Sequence, residues 1–264
     1  SVFKNALILL AGNRFIQRRL EKRVKYLQDL MGIGSGDAVS SSGERAMFDL
    51  LRRRFDSPYY IFDVGANRGQ FLQLVLGNMQ DRDFSVHCFE PGRETFKMLV
   101  NSSSGDQRIR LNNIGLGKEK GEAMLYFDNE GSGLASLTKR KLEHFGIDFN
   151  KSEKVKIGTI DSYCSENGIR RIHLLKIDVE GHELDVLAGA KKMLEAKSVD
   201  MITFEFGGCN IDTRTFFQDY WRFFSAINMK IMRITPSGYL YPIESYKEIY
   251  EQFRTTNFIA FSQE

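Results

Sequence analysis

The chain is 264 residues long, carries 37 Lys and Arg against 34 Asp and Glu, and is 42% hydrophobic. That composition excludes a disordered chain, which needs low hydrophobicity with high net charge, and a nucleic-acid binder that works by charge alone. At roughly 150 residues per domain the length predicts one large domain, with or without an appendage.

Residues 1–31 place Phe3, Leu7, Leu10, Ile16, Leu20, Val24, Leu27 and Leu30 at three- and four-residue steps, which predicts one helix. Arg14, Arg18, Arg19, Lys22, Arg23 and Lys25 lie between them, opposed only by Glu21. Glycines 32, 34 and 36 end the helix, and residues 40–43 extend the break. A second helix is predicted over 44–55, capped by Ser41 or Ser42. From residue 59 the pattern alternates. Strands are predicted at 59–63, 84–90, 109–114, 174–178, 201–206, 230–234, 239–241 and 258–261. Helices are predicted at 70–76, 94–100, 183–194 and 213–227, with a hairpin and loop over 123–157. This reads as an α/β domain over 59–264, its mainly parallel sheet covered by helices on both faces, behind a helical extension over 1–58.

Cys88, Cys164 and Cys209 are widely spaced and form no C-x-x-C pair, which predicts a reducing compartment and no disulfide or zinc framework. The longest apolar run, residues 6–11, is far short of the ~20 residues that span a bilayer. No small-residue cleavage site follows it. A cytoplasmic setting is therefore expected, with the basic segment a candidate for contact with the inner membrane face or for self-association. Packing onto the sheet domain is the plainer reading of that segment.

The most informative stretch runs from Ile61 through Asp63, Gly65, Asn67 and Gly69 to Phe71: a buried strand, a glycine turn and a helix start. Such a turn lets the backbone approach a ligand at the helix N-terminus. Dinucleotide folds write it G-x-G-x-x-G. Here a carboxylate, Asp63, stands where a pyrophosphate would be repelled and a cation welcomed. S-adenosylmethionine (AdoMet), with its sulfonium and amino group, meets that condition. The second strand ends Phe89-Glu90-Pro91, placing an acid where ribose hydroxyls are bound in such sheets. Read singly, Asp63 is a helix cap and Glu90 a solvated strand end; in consecutive βα units they read as an adenosine site.

The strand over 174–178 runs into Asp178, Glu180, His182 and Glu183, and its neighbour ends at Glu205. Carboxyl ends of strands line the ligand crevice of open α/β sheets. Methyl transfer to an alcohol needs an aligned hydroxyl and a base. His182 suits that role with a carboxylate to orient it, Asp178 or Glu205 is the alternative, and a divalent cation on Asp178, Glu180 and Glu205 is a third. Glu180 and Glu183 are also ordinary residues for a helix start. Acceptor contacts are expected from the loop containing Ser132 and from Asn210, Asp212, Thr213 and Arg214. The aromatic residues between Phe216 and Phe224 read as core.

Asp63-Val-Gly-Ala-Asn-Arg-Gly-Gln-Phe, Phe89-Glu-Pro, Lys176-Ile-Asp-Val-Glu-Gly-His-Glu-Leu and Phe204-Glu-Phe-Gly-Gly together resemble the FkbM-type AdoMet-dependent methyltransferases. The resemblance covers roughly residues 41–262, including Ser42-Gly43-Glu44 and the terminal Asn257 to Phe261. It implies a Rossmann-like class I methyltransferase fold with a seven-stranded sheet. It also implies O-methylation of a sugar hydroxyl in a glycan, glycolipid or natural product. By the same resemblance Asp63, Gly65, Asn67, Gly69 and Glu90 hold AdoMet, with Asn113 or Gly115 near the adenine; Ala66, Phe89 and Asp178 complete the expected set. It names no base. Two alternatives share parts of the pattern: a nucleotide-dependent sugar dehydrogenase or epimerase, which would want G-x-G-x-x-G and Tyr-x-x-x-Lys, and an adaptor working through the N-terminal helices. A nucleic-acid substrate is not expected, because no basic stripe accompanies the candidate site.

Overall fold

Near-continuous burial along the central strands, covered on both faces, and one-sided burial along the helices packed on them build a three-layer α/β structure. It is a computed structural model that describes residues 2–36, 43–103 and 105–262. The single helix expected over 1–31 is two, α1 (Val2–Ala11) and α2 (Arg14–Leu30). Gly12 and Asn13 interrupt it, and the Asn13 side chain accepts a hydrogen bond from the Ile16 N–H, capping α2. Residues 40–42, which include the expected caps Ser41 and Ser42, lie outside the described residues, as do the side chains of Phe3 and Leu7. α3 (Arg45–Arg54) follows.

β1 (Tyr59–Val64), α4 (Gln70–Asn78), β2 (Phe84–Phe89), α5 (Arg93–Ser102) and β3 (Ile109–Asn112) alternate as expected. β4 (Gly115–Leu116), β5 (Gly121–Phe127) and β6 (Lys151–Gly158) form a separate three-stranded sheet, in which β5 and β6 are the expected antiparallel hairpin. α6 (Ile160–Asn167), capped by Thr159, has no counterpart among the expected elements. After β7 (Ile172–Ile177) the helix expected over 183–194 is split into α7 (Glu183–Ala188) and α8 (Lys191–Glu195). Gly189 lies at the split, where a Cβ would collide with the Gly117 carbonyl oxygen. β8 (Val199–Phe206), α9 (Cys209–Thr213), α10 (Phe217–Ala226), β9 (Met229–Ile234), β10 (Leu240–Pro242) and β11 (Thr256–Ser262) complete the chain. The helix expected over 213–227 is thus α10 alone, since Arg214 takes a left-handed conformation and ends α9.

The main sheet has the order β10-β9-β11-β8-β7-β1-β2-β3. Strands β1, β2, β3, β7 and β8 are parallel, and β11 runs antiparallel between β8 and β9. The expected Rossmann-like architecture is therefore present, with β10 as a short eighth strand on the β9 edge. Alternation in β1 sends Tyr59 and Ile61 to one core layer, with Met47, Phe48 and Leu51 of α3 and Phe71 of α4. Phe62 and Val64 face the other layer, with Val186, Leu187 and the aromatic stripe of α10. In that stripe Phe217, Tyr220 and Phe224 are buried, and Phe204 stacks on Tyr220 with ring centroids 4.8 Å apart. Among the described residues no helix is long and apolar enough to cross a membrane.

Helix α3, although it precedes the alternating units, shares their core: Phe48 is fully buried and stacks on Phe71 at 6.0 Å. Phe48→Ala is expected to lower the free energy of urea unfolding by about 3–5 kcal/mol, the usual cost of deleting a buried aromatic ring. A loss under about 1 kcal/mol would show that α3 is not part of that core.

Candidate functional site

Strand order reverses between β1 and β7, so the turns that follow these strands open a crevice at their carboxyl ends. The turn after β1 folds back at Gly65, whose φ is +82° and where a Cβ would strike the carbonyl oxygen of Asp178. The N–H groups of Gly65 and Ala66 both donate to the Phe89 carbonyl at 3.0 Å, tying the turn to β2. The turn after β7 is built on Glu183, which is fully buried. Its carboxylate accepts from the N–H groups of Val179 (3.2 Å) and Gly181 (3.1 Å) and from the Tyr220 hydroxyl (2.8 Å). Glu183 is thus a scaffold residue, as its place at a helix start suggested.

Between the two turns lies a charge cluster that the sequence reading missed. Parallel register sets Lys176 beside Asp63, and strand alternation puts Lys176 and Asp178 on one face. The Lys176 Nζ lies 3.3 Å from Asp63 Oδ1 and 3.2 Å from Asp178 Oδ2, and 5.5 Å from the centre of the Phe71 ring. Burial opposes the lysine charge, but Asp178 and Asp63 outweigh it and hold Lys176 above the ordinary lysine range. Burial pushes the Asp63 carboxyl upward while Lys176 pulls it down. Asp63 is therefore not an open carboxylate awaiting a cationic ligand: it is fully buried, does not line the cavity, and faces a cation of the chain itself.

The crevice is a cavity of about 750 Å³, within the ~300–1,000 Å³ typical of small-molecule sites. Of the expected cofactor residues, Gly65, Ala66, Asn67, Phe89, Glu90, Gly115 and Asp178 line it. Glu90 accepts from the Asn67 N–H at 3.0 Å and the Gly92 N–H at 2.8 Å. Burial pushes its carboxyl up to about 7 against the pull of those two donors. The Asn67 Oδ1 is buried with no hydrogen-bond partner. Gly69 stands back from the cavity as the N-cap of α4. Asn113 does not line it either: its amide donates to the carbonyls of Glu90 (2.9 Å) and Pro91 (3.1 Å), holding the end of β2.

At the other end, Glu180, His182 and Glu205 line the same cavity, as does Ser132. The His182 Nδ1 is 2.8 Å from Asp185 Oδ2, and its Nε2 is 3.0 Å from the Thr138 hydroxyl. The hydrogen bond from His182 holds the Asp185 carboxyl below the ordinary aspartate range. Arg140, almost buried, donates to Glu180 at 2.6 Å and lies 3.6 Å from Asp212. Ser136 donates to the Glu180 carbonyl at 2.8 Å, so the segment around 132–140 is stitched over the turn. Glu205 is held well above the usual carboxylate range by burial and then by Asp178, Glu180 and Glu183. Asp178 and Glu180 each meet a cation of the chain, and no group of three or more His, Cys, Asp or Glu with metal-binding spacing occurs among the described residues.

The residues expected to meet an acceptor after β8 do not line this cavity. Asn210 is buried. Its amide donates to the Thr215 and Tyr220 hydroxyls and its oxygen accepts from the Gly207 N–H. Asp212 reaches the cavity wall only through Arg140, and Arg214 is the left-handed end of α9. Thr138, Arg140 and Asp185, missed in the sequence, surround the turn instead; Arg140 and Thr138 sit in a loop with no local pattern to mark them. Lys176 had a signal in its i, i+2 spacing to Asp178.

Comparison with known proteins bears on this geometry. A family model described as the methyltransferase FkbM domain matches residues 63–231. The 2-O-methyltransferase NoeI of Sinorhizobium fredii is 29% identical over 147 residues, which is 51% of this chain and 58% of that protein. The hexuronic acid methyltransferase AglP of Haloferax volcanii is 26% identical over 155 residues, 58% of this chain and 59% of that protein. The match thus spans under two thirds of either relative's length. A crystal structure titled methyltransferase FkbM, from Methylobacillus flagellatus, aligns with 78% of this chain and 44% of its own at 18% identity and a TM-score of 0.49.

The Lys176 cluster makes a direct prediction. Lys176→Met removes the charge facing two acids, one fully buried, and is expected to lower unfolding stability by about 3–5 kcal/mol. Adding Asp63→Asn to that variant is expected to recover part of the loss. Additive losses in the double variant, measured by chemical denaturation, would contradict the pairing.

Proposed function

The chain belongs to the FkbM methyltransferase family, and from that premise we propose that it is an AdoMet-dependent O-methyltransferase acting on a sugar hydroxyl. The observation that carries this reading is one cavity holding Glu90 and the bare glycine turn at one end and the oriented imidazole of His182 at the other. The two relatives, a 2-O-methyltransferase and a hexuronic acid methyltransferase by name, support the acceptor class.

The residues fit the donor. AdoMet supplies a methyl group activated by its sulfonium and brings no phosphate. Gly65, Ala66 and Asn67 put the glycine turn itself on the cavity wall. Each Glu90 oxygen is engaged by one backbone N–H and keeps a lone pair for a ribose hydroxyl. Ala66, Phe89 and Gly115 supply apolar walls, and Asp178 faces the methyl-donor end. Asp63, Gly69 and Asn113 act behind them, by fixing Lys176, the start of α4 and the end of β2.

On the acceptor side His182 is the base. Asp185 accepts the hydrogen bond from Nδ1–H, which leaves the lone pair on Nε2; the Thr138 hydroxyl meets it at 3.0 Å, and the acceptor hydroxyl takes that place when it binds. The rivals are less suited: Asp178 is paired with Lys176, and burial and three neighbouring acids disfavour the charged form of Glu205. Glu180, locked by Arg140, shapes the floor, and Ser132 is placed to meet the acceptor. Asn210, Asp212 and Arg214 support that wall from behind. The catalytic unit is residues 59–264 with α3 in its core, and the three free, buried cysteines support a reducing, cytoplasmic setting.

The test is transfer of labelled methyl from AdoMet to a panel of glycans and glycolipids, beside calorimetric binding of AdoMet and of NAD. Binding of NAD with no response to AdoMet would end this reading. His182→Ala is expected to lower kcat by ~10²–10⁴-fold, the usual worth of a general base, with the AdoMet Kd unchanged. Full turnover in that variant would move the base elsewhere. Protonating Glu90 removes the ribose acceptor, so AdoMet affinity is present above its pKa of about 7 and lost below it. The Kd is expected to rise about tenfold from pH ~8 to pH ~6, as one ionisation with that pKa requires. Glu90→Gln is expected to bind weakly with a flat profile, and an unchanged pH dependence in that variant would exclude Glu90.

A further inference from the structure

Helix α2 is amphipathic, yet none of its side chains is buried. Ile16, Leu20, Val24, Leu27 and Met31 form one stripe at three- and four-residue steps. Leu20, Val24, Leu27 and Met31 are 41–55% exposed. The helix is held to the rest of the chain by its opposite edge: Arg254 donates to Gln28 at 2.8 Å and to Asp29 at 2.7 Å, and Gln28 donates to Gln252 at 2.9 Å. Next to it α1 exposes Ile8, Leu9 and Leu10 in succession. Three consecutive helical residues point to different sides, so the apolar surface there wraps around the helix. Exposed apolar surface of this kind marks an interaction site.

We propose that α1 and α2 form an interfacial anchor that lies on a bilayer surface carrying anionic lipid. Charge complementarity identifies the occupant. Arg14, Arg18, Arg19, Lys22, Arg23 and Lys25 accompany the apolar stripe with Glu21 as the only acid between them. Basic residues beside a stripe of large apolar side chains are the pattern of a helix lying in the headgroup region. A second copy of the chain fits less well. Between Arg14 and Lys25 six basic side chains stand against Glu21 alone, so a second α2 packed alongside would bring like charge against like charge. An anionic bilayer surface meets no such repulsion, and long basic side chains reach past the apolar boundary to the headgroups.

The anchor also says where the acceptor comes from. Lys25 of α2 and Gly34 and Gly36 of the following loop line the catalytic cavity. A seated α2 therefore holds the cavity within one helix diameter (~10 Å) of the lipid surface, which suits a sugar carried on a lipid. This last step rests on the methyltransferase reading; the anchor itself does not.

Flotation of the whole chain with phosphatidylcholine vesicles, with and without phosphatidylglycerol, tests the proposal without any need for activity. Binding is expected only to the anionic vesicles and is expected to fall as salt rises. Arg18→Gln with Arg19→Gln should weaken it about 25-fold, at about fivefold per charge near the surface. Leu20→Glu should abolish it. All these side chains are exposed, so the melting temperature should not change. No flotation, or flotation unaffected by either change, overturns the proposal. So does a concentration-dependent dimer that Leu20→Glu dissociates in a chain that ignores vesicles, since the surface then belongs to a second copy. A chain that floats but does not bind AdoMet keeps the anchor and sinks the methyltransferase reading.

Discussion

Lys176 between Asp63 and Asp178 is the interaction on which the site rests. Two acids at the ends of adjacent parallel strands would repel each other in a region from which water is excluded. A lysine within 3.3 Å of both turns that repulsion into attraction. Burying charge is costly, and such clusters contribute little net stability when replaced by apolar side chains. What this one does is hold the tips of β1 and β7 at one spacing. The Asp178 N–H then donates to the Val64 carbonyl at 2.9 Å, and Gly65 passes directly beneath the Asp178 carbonyl. The glycine turn after β1 and the acidic turn after β7 are thereby built as one piece.

The remaining charges are sorted around that piece by burial. Burial raises Glu90 to about 7, and burial with neighbouring acids raises Glu205 as well, so the cavity is less negative than its carboxylates suggest. Arg140 neutralises Glu180 and approaches Asp212, and Asp185 is committed to His182. What remains on the cavity wall is the glycine turn with Asn67 and an imidazole held between Asp185 and Thr138. The loop that supplies Ser132, Thr138 and Arg140 closes this arrangement from above. It is anchored in turn by the hairpin of β5 and β6, through paired hydrogen bonds between Tyr126 and Ser136.

Outside the sheet, polarity is distributed differently. The aromatic residues of α10 are spent on the core, where Phe204, Phe206 and Phe258 receive them, and none is left over as a stacking platform at the cavity. The apolar residues of α2 are not spent at all. One end of the chain therefore carries a hydrophobic face with a basic border, joined by Gln28 and Asp29 to the rim of the site.

Local pattern determined what local pattern can encode. The strand–helix alternation from residue 59 onward, the glycine turn between Asp63 and Gly69 and the acidic turn from Asp178 to Glu183 were legible, because backbone conformation and side-chain period act over a few residues. Even so, the helix breaks at Gly12 and Gly189, and α6 altogether, were not. The first depended on a cap, the second on the Gly117 carbonyl far along the chain, and α6 on burial of Ile160 and Cys164 against distant strands. The partners within the site were decided only by the tertiary structure. Asp63 was readable as an acid at a strand end, but whether it met a ligand or a lysine depended on strand register. Thr138 and His182 are 44 positions apart, as are Ser136 and Glu180. Asn210 looked like a polar loop residue until its amide was seen bonded to Tyr220, which in turn holds Glu183. Residue type and spacing name the groups that can do chemistry; which of them face a ligand and which face each other is set by contacts between distant segments, which no local period records.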